Sequence, residues 1–143
     1  MALKLSMSSK EVHTLSKVYA TKRFHFEACH HLPGHSGKCA NIHGHSYKLE
    51  VTVSSVKDFN AKGLTPDANM VMDFSTIKSV VNSAVVNKYD HQDLNEFFDM
   101  PTAEQMVVRM FHDIEQALSD YDNVTLEEVK LWETEDSFAT FRG

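Results

Sequence analysis

Five of the nine histidines of this chain and both of its cysteines lie in one short stretch, residues 29–45. Within it, His43-Gly44-His45 is a His-x-His pair, and on a strand such a pair projects both rings from the same face. Histidine is the commonest metal ligand, and a third one would give three nitrogen ligands with a fourth position open. That arrangement is typical of a catalytic zinc site rather than a closed structural one.

The alternation of side chains along the strand predicted over residues 17–31 distinguishes two adjacent histidines. His30 shares a face with the apolar residues Phe24, Phe26 and Ala28, whereas His31 shares the opposite face with charged residues. An imidazole on an apolar face needs a ligand or a hydrogen-bond partner, since burying an unpaired polar group is costly. We therefore predict that His30 is the third metal ligand.

Cys39 lies four residues before His43, at the end of a loop rich in glycine. Two roles are open for its thiol. As a fourth ligand, Cys39 would close the metal site into a structural one. Between Lys38 and a metal, it would instead be a reactive thiolate of lowered pKa. Cys29 lies on the polar face of its strand and is interpreted as incidental.

Two further carboxylates, Asp90 and Glu133, lie where they could take part in chemistry. Asp90-His91 falls in the loop between two predicted helices, where the acid can orient the imidazole and raise its basicity for proton transfer. Exposed pairs of this kind are also common in solvated loops. Glu133 shares strand alternation with Val129 and Leu131, at the end of an apolar face. A carboxylate placed there needs a partner, which a guanidine-like edge of a ligand, a cap or an arginine would supply.

The pattern along the chain predicts an α+β fold of order ββααββ. The predicted strands are residues 17–31, 43–54, 125–134 and 137–142. The first predicted helix starts at the cap Asp73 and runs through Lys88, with Phe74 in its apolar stripe. The second starts at the cap Thr102, and its apolar stripe is Met106, Met110, Phe111, Ile114 and Leu118. Short connections favour a four-stranded antiparallel sheet with both helices on one face. Its two edges would be buried if they paired between subunits, so a ring-like oligomer is expected.

Bulk properties limit the classes of function. A length of 143 residues predicts one domain, which we place at residues 18–143 after a loose N-terminal extension of residues 1–17. A net charge of −6 argues against nucleic acid as a partner. The chain lacks both a secretory signal and the roughly 18 consecutive apolar residues of a membrane span. We therefore expect a cytoplasmic protein without a membrane partner.

Six motifs, taken together and in order, resemble the 6-pyruvoyl-tetrahydropterin synthase family. They are Phe-Glu-Ala-Cys-His-His-Leu (26–32), Cys-x-x-x-His-Gly-His-Ser-Tyr (39–47), Met-Asp-Phe (72–74), Asp-His-x-x-Leu-Asn (90–95), Pro-Thr-x-Glu (101–104) and Trp-Glu-Thr (132–134). The resemblance covers about residues 18–143. It is nearer to the branch that forms a carboxy-tetrahydropterin, because only three residues separate Cys39 from His43.

The resemblance implies a role for each matching residue. It implies zinc (Zn2+) as the cofactor, a tunnelling fold, and a homo-hexamer built as a dimer of trimers. The implied site residues are the zinc ligands His30, His43 and His45, the catalytic residues Cys39, Asp90 and His91, the pterin anchor Glu133, and the pocket residues Thr102 and Glu104.

The implied reaction converts 7,8-dihydroneopterin triphosphate to 6-carboxy-5,6,7,8-tetrahydropterin, with release of triphosphate and acetaldehyde, in 7-deazaguanine (queuosine precursor) biosynthesis. The nearest alternative is 6-pyruvoyl-tetrahydropterin synthase activity on the same substrate. A non-catalytic zinc-binding module, closed by Cys39, is a third reading from a different class.

Overall fold

The computed structural model describes residues 15–143 of the chain. Its elements, in chain order, are β1 (Ser16–His30), β2 (His43–Lys57), α1 (Phe74–Val81), β3 (Gln92–Asp93), α2 (Ala103–Leu118), β4 (Thr125–Thr134) and β5 (Ser137–Arg142). Of the predicted extension, residues 1–17, all but the last three positions lie outside the described residues, and β1 already begins at Ser16. The division into extension and domain remains a prediction.

The sheet has five strands in the order β3-β1-β2-β4-β5. The prediction of a four-stranded antiparallel sheet was therefore wrong, because β3 adds a fifth strand that runs parallel to β1. β3 is only two residues long, which is too short to show any alternation in the sequence. The other three pairs are antiparallel, as predicted. The sheet is mixed, and its additional strand comes from the loop that carries Asp90 and His91.

Strand alternation places the core on one face of the sheet. The apolar residues of that face are almost completely buried: Phe24, Phe26, Ala28, Tyr47, Leu49, Val51, Val53, Val129 and Leu131. The rings of Phe26 and Tyr47 stack with their centroids 5.0 Å apart, which joins β1 to β2 close to the histidines. His30 continues the same face and is 0% exposed. The alternation that builds the core thus also determines which histidine turns inward.

Both helices begin at the predicted caps. The carboxylate of Asp73 accepts a hydrogen bond from Ser75 N at 2.8 Å, and Thr102 Oγ1 accepts one from Gln105 N at 3.1 Å. Gln105 Oε1 in turn accepts from Met100 N at 3.0 Å, which ties the preceding loop to the first turn of α2. The start of α2 is therefore fixed by side-chain bonds from both directions.

The two helices differ in regularity. α2 buries its predicted apolar stripe, which consists of Met106, Met110, Phe111, Ile114 and Leu118. The first helix was predicted to run through Lys88, but α1 gives way to a π-helical turn (Asn82–Val86) and a short last segment (Asn87–Tyr89). Phe74, which was assigned to its apolar stripe, is 53% exposed. Neither helix of the described chain has the length and apolarity that crossing a membrane requires.

The Thr102 cap gives a test of stability. Thr102→Ala should lower the free energy of unfolding by about 1 kcal/mol, because the N–H of Gln105 loses its acceptor, whereas Thr102→Ser should retain most of it. Urea unfolding followed by circular dichroism measures the difference. Thr76→Ala, which removes the same hydroxyl from the first turn of α1, serves as the control and should show no comparable loss.

Candidate functional site

Three histidines meet where β1 ends and β2 begins. His30 and His43 are partners in the β1–β2 ladder, and His45 lies opposite Ala28. One ligating nitrogen of each histidine lies within 4.8 Å of those of the other two. The structure therefore brings together the three histidines selected from the sequence, and this cluster could bind a metal ion.

Backbone carbonyls determine which nitrogen carries the proton in two of the three rings. His30 Nδ1 lies 2.8 Å from Pro101 O, and His43 Nδ1 lies 2.7 Å from Asn41 O. A carbonyl oxygen can only accept, so each Nδ1 donates its proton and each neutral ring has a bare Nε2. A hydrogen bond from the second nitrogen to a carbonyl is the usual support of a metal-bound histidine.

The bare nitrogens are arranged to receive a cation. Nε2 of His30 and Nε2 of His43 lie 3.0 Å apart, so two lone pairs would face each other if nothing positive lay between them. Nε2 of His45 is buried and makes no hydrogen bond with the described residues. Glu133 Oε1 is 3.3 Å from that nitrogen, but without the geometry of a hydrogen bond. A metal ion would satisfy all three nitrogens, so the donor set fits one.

The electrostatics of His45 also favour a metal ligand. Burial lowers the pKa of His45 below its ordinary value of 6.5, and the nearby His30 and His43 act in the same direction. Glu133 beside the ring opposes them. Because the pKa is lowered, His45 is neutral at pH 7 and its lone pair is available to a metal.

Asp90 and His91 form the predicted acid–imidazole pair. Asp90 Oδ2 lies 3.0 Å from His91 Nδ1, and Asp90 Oδ1 accepts a hydrogen bond from Glu27 N at 2.9 Å. The N–H of Glu27, and next the bond from His91, hold the pKa of Asp90 below its ordinary value. His91 has φ +60°, and its N–H donates to Glu27 O. A non-glycine residue held at positive φ is costly and often marks a functional position.

His91 and His45 line the same cavity. Its volume is about 470 Å³, and its polar lining includes Glu27, Cys29, Ser46 and Asp93. Ser46 Oγ donates to Glu27 Oε1 at 2.6 Å, which fixes that carboxylate on the wall. Glu27 and Ser46 were not predicted as site residues. The only sign in the sequence was that both lie inside the motifs around the histidines.

Three predicted site residues, Cys39, Thr102 and Glu104, are not among the described residues that line this cavity. Cys39 is half-buried in a 3₁₀ turn (Lys38–Ala40), and its carbonyl accepts from Leu32 N at 2.6 Å. Thr102 caps α2, and Glu104 is exposed in the first turn of that helix. Within one chain, Glu133 therefore lies beside the histidine cluster, and His91 lines the same cavity as His45. The roles of Cys39, Thr102 and Glu104 stay predictions.

The sequence matches the family described as 6-pyruvoyl tetrahydropterin synthase over residues 19–143. The chain belongs to this family and is an enzyme of the pterin synthase type. A 6-carboxy-5,6,7,8-tetrahydropterin synthase of Haemophilus influenzae is 33% identical over an alignment of 144 residues, which covers 85% of this chain and 96% of that protein.

Two further relatives carry the pyruvoyl name. A 6-pyruvoyl tetrahydrobiopterin synthase of Dictyostelium discoideum is 33% identical over 115 residues, and the match covers 75% of each protein. The solved structure of Caenorhabditis elegans 6-pyruvoyl tetrahydropterin synthase superposes with a TM-score of 0.71 at 27% identity, covering 90% of this chain and 96% of that one. The fold is therefore that of the family.

If the histidine cluster binds a metal ion, all three histidines should be needed for binding. His43→Ala should abolish stoichiometric metal binding, because the two remaining nitrogens are a poor site, whereas His25→Ala on the other face of β1 should leave it unchanged. Metal content after dialysis, measured by elemental analysis, decides the matter. Retention of a full equivalent by His43→Ala would contradict the assignment.

Asp90 predicts a pH dependence of stability. Because its pKa is lowered in the folded chain from 3.8, its contribution is present above pH 3.8 and disappears as the pH falls through the folded value. Asp90→Asn cannot titrate, so the stability of this variant should fall less steeply between pH 5 and 3 than that of the wild type. Urea unfolding at each pH measures this, and Asp99→Asn, an exposed change of the same kind, should follow the wild type.

Proposed function

We propose that this chain is a zinc-dependent 6-carboxy-5,6,7,8-tetrahydropterin synthase. It converts 7,8-dihydroneopterin triphosphate and one molecule of water to 6-carboxy-5,6,7,8-tetrahydropterin, triphosphate and acetaldehyde. The observation that carries the proposal is the cluster of three histidines beside Glu133, found in a chain of the pterin synthase family. The relative from Haemophilus influenzae, which carries the carboxy name, supports this product.

The metal is proposed to be zinc. Three neutral imidazoles with an open fourth position are a ligand set of catalytic zinc, and each of two rings already has the carbonyl support expected of such ligands. When bound, zinc would acidify the hydroxyl groups and adjacent C–H bonds of the substrate side chain. His30, His43 and His45 would hold it.

Glu133 is proposed to hold the pterin ring. Its side chain is 27% exposed, so the carboxylate is accessible to a ligand while lying next to the histidine cluster. A carboxylate accepts two parallel N–H groups well, and the amino-pyrimidine edge of a pterin offers such a pair. The ring would then be fixed with its side chain directed toward the cluster. Thr102 and Glu104 are proposed to border the same pocket.

Proton transfer is assigned to His91 and Cys39. Asp90 occupies Nδ1 of His91 and so leaves Nε2 as the atom that exchanges a proton with the substrate. The ring is 78% exposed, which makes it accessible to a bound molecule. Cys39 is proposed to act as the thiolate that removes a proton from the substrate side chain, on the opposite side from His91.

The separation of Cys39 from the His91 cavity supports an active site shared between subunits. We propose the homo-hexamer, a dimer of trimers. Within residues 15–143, β3 pairs only with Ala28 and Cys29, so the rest of the outer edge of β1 has no partner strand, and neither has the outer edge of β5. Pairing of β5 in one subunit with β1 in the next would bury both edges and close a ring.

The proposed setting is cytoplasmic 7-deazaguanine (queuosine precursor) biosynthesis, with a small pterin triphosphate as the substrate and no nucleic acid or membrane partner. The net charge of −6 supports a small-molecule enzyme over a nucleic-acid-binding protein.

The alternative product is 6-pyruvoyl-tetrahydropterin, which the relatives of that name favour. The purified chain, loaded with Zn2+ and given 7,8-dihydroneopterin triphosphate, should form the 6-carboxy compound and acetaldehyde, both detected by mass spectrometry. A 6-pyruvoyl compound as the main product would select the alternative.

Cys39 distinguishes the enzyme from a non-catalytic zinc module. Cys39→Ala should retain its metal and its thermal midpoint but lose turnover by at least about 100-fold, since a general base contributes on that order. Ser36→Ala, in the same exposed loop, should retain turnover. If Cys39→Ala instead loses both the metal and the fold, the cysteine closes a structural site and the enzymatic role is wrong.

A further inference from the structure

The side chain of Asn95 is bonded to both polar groups of one distant peptide unit. His31 N donates to Asn95 Oδ1 at 2.9 Å, and Asn95 Nδ2 donates to His31 O at 3.0 Å. A strand running beside β1 would present the same pair of groups, one acceptor and one donor, to that residue. The carboxamide therefore takes the place of a strand peptide at the point where β1 has just ended at His30.

At the other end of β3, the side chain of Asp90 and the backbone N–H of His91 together bond both polar groups of Glu27. Asp90 Oδ1 accepts from Glu27 N, and His91 N donates to Glu27 O. Between these ends, β3 pairs with Ala28 and Cys29. The side chains of Asp90 and Asn95, with the N–H of His91, thus lengthen a strand of two residues into a seam along β1 from Glu27 to His31, which we call the β3 seam.

Asn95 is itself well anchored. Its N–H donates to Asp93 Oδ1 at 3.0 Å, and the preceding Leu94 is 0% exposed in the core. Its carboxamide therefore has a fixed position from which to hold His31. A mobile side chain would lose more conformational entropy in making the same two bonds.

The β3 seam connects the separate parts of the site. His30, whose ring belongs to the histidine cluster, lies directly before the residue that Asn95 holds. Leu32, directly after it, donates to the carbonyl of Cys39. His91 lies at the opposite end of the seam. A displacement of the peptide at residue 31 would therefore move His30 and the turn that carries Cys39, and would loosen the support of His91.

We propose that Asn95 is a positioning residue of the active site. Its carboxamide holds the end of β1 in register with the loop, and so keeps the histidine cluster in place for metal and keeps His91 in its strained conformation. The consequence for turnover rests on the proposed function, whereas the consequences for backbone protection and for Zn2+ affinity do not.

Asn95→Asp is the sharpest variant because it changes one donor into an acceptor at constant size. The carboxylate can still accept from His31 N, but it meets His31 O with a second acceptor. Asn60→Asp makes the same change of charge in an exposed loop and is the matched control. Asn95→Ala removes both bonds without adding charge, and shows whether the effect depends on the new charge.

Hydrogen exchange and Zn2+ affinity are measured on each purified chain. In metal-free Asn95→Asp, the amides of Glu27, His31 and His91 should exchange at least about tenfold faster than in the wild type, while those in the centre of β2 and β4 change little. Zn2+ affinity, measured by competition with a chelating dye, should fall about 10- to 100-fold, as for other residues that support metal ligands. Asn60→Asp should show neither effect.

Three results would overturn the proposal. One is unchanged exchange and unchanged Zn2+ affinity in Asn95→Asp. Another is faster exchange spread evenly over β2 and β4, which would assign Asn95 to global stability alone. The third is failure of both Asn95→Asp and Asn95→Ala to fold, which would assign it to folding. Hydrogen exchange and Zn2+ affinity are measured without substrate. If the enzyme formed a different product, the proposed function would be wrong, but the result of this test on Asn95 would still hold.

Discussion

The rest of the site depends on one electrostatic constraint, the 3.0 Å approach of two imidazole nitrogens, Nε2 of His30 and Nε2 of His43. Their Nδ1 atoms are committed to carbonyl oxygens, so both facing atoms are acceptors in the neutral rings. Such an approach is unfavourable without a cation, and isolated side chains would rotate apart. It persists because the rings project from strands that are paired along fifteen residues each, with His30 and His43 as the last partners of the ladder. The strand ladder therefore holds these rings close together, which lowers the ordering cost of binding a metal.

The support of this cluster extends into the helical layer. The carbonyl that orients His30 belongs to Pro101, the residue directly before the cap of α2. α2 is held in turn by a buried apolar stripe and by the bonds of Thr102 and Gln105 at its first turn. A shift of α2 along the sheet would break the hydrogen bond from His30 Nδ1 to the Pro101 carbonyl. The proton would then no longer be held on Nδ1, and Nε2 would no longer be kept free to bind a metal. Packing of the core and chemistry of the cluster are thus connected through a single hydrogen bond.

Strand alternation was sufficient to predict the core face of β1 and β4 and the choice of His30 over His31, because burial of one face leaves a period of two in the sequence. The caps Asp73 and Thr102 were predictable for a similar reason, since each bond spans only a few residues. The fifth strand, the π-helical turn and the supporting carbonyls of Pro101 and Asn41 were not. Backbone groups leave no mark on residue type, and the bonds of Asn95 to His31 join positions that are 64 residues apart. The catalytic role of Cys39 and the pterin-binding role of Glu133 came from the resemblance, and both stay predictions.

The two halves of the candidate site differ in how they are held. His30 is buried and His43 and His45 are partly buried, and all three are supported by a long antiparallel ladder. His91 is exposed, at positive φ, on a loop attached through a strand of two residues. A ligand that fills the cavity would therefore meet a fixed wall at His45 and a more adjustable one at His91. In the proposed function this division is useful, because histidines that bind a metal must not move, whereas a proton-transferring His91 must come within hydrogen-bond distance of different atoms of a reacting molecule. The Asp90 carboxylate limits that freedom to positions in which Nδ1 keeps its partner, so Nε2 is the nitrogen of His91 that stays free for other contacts.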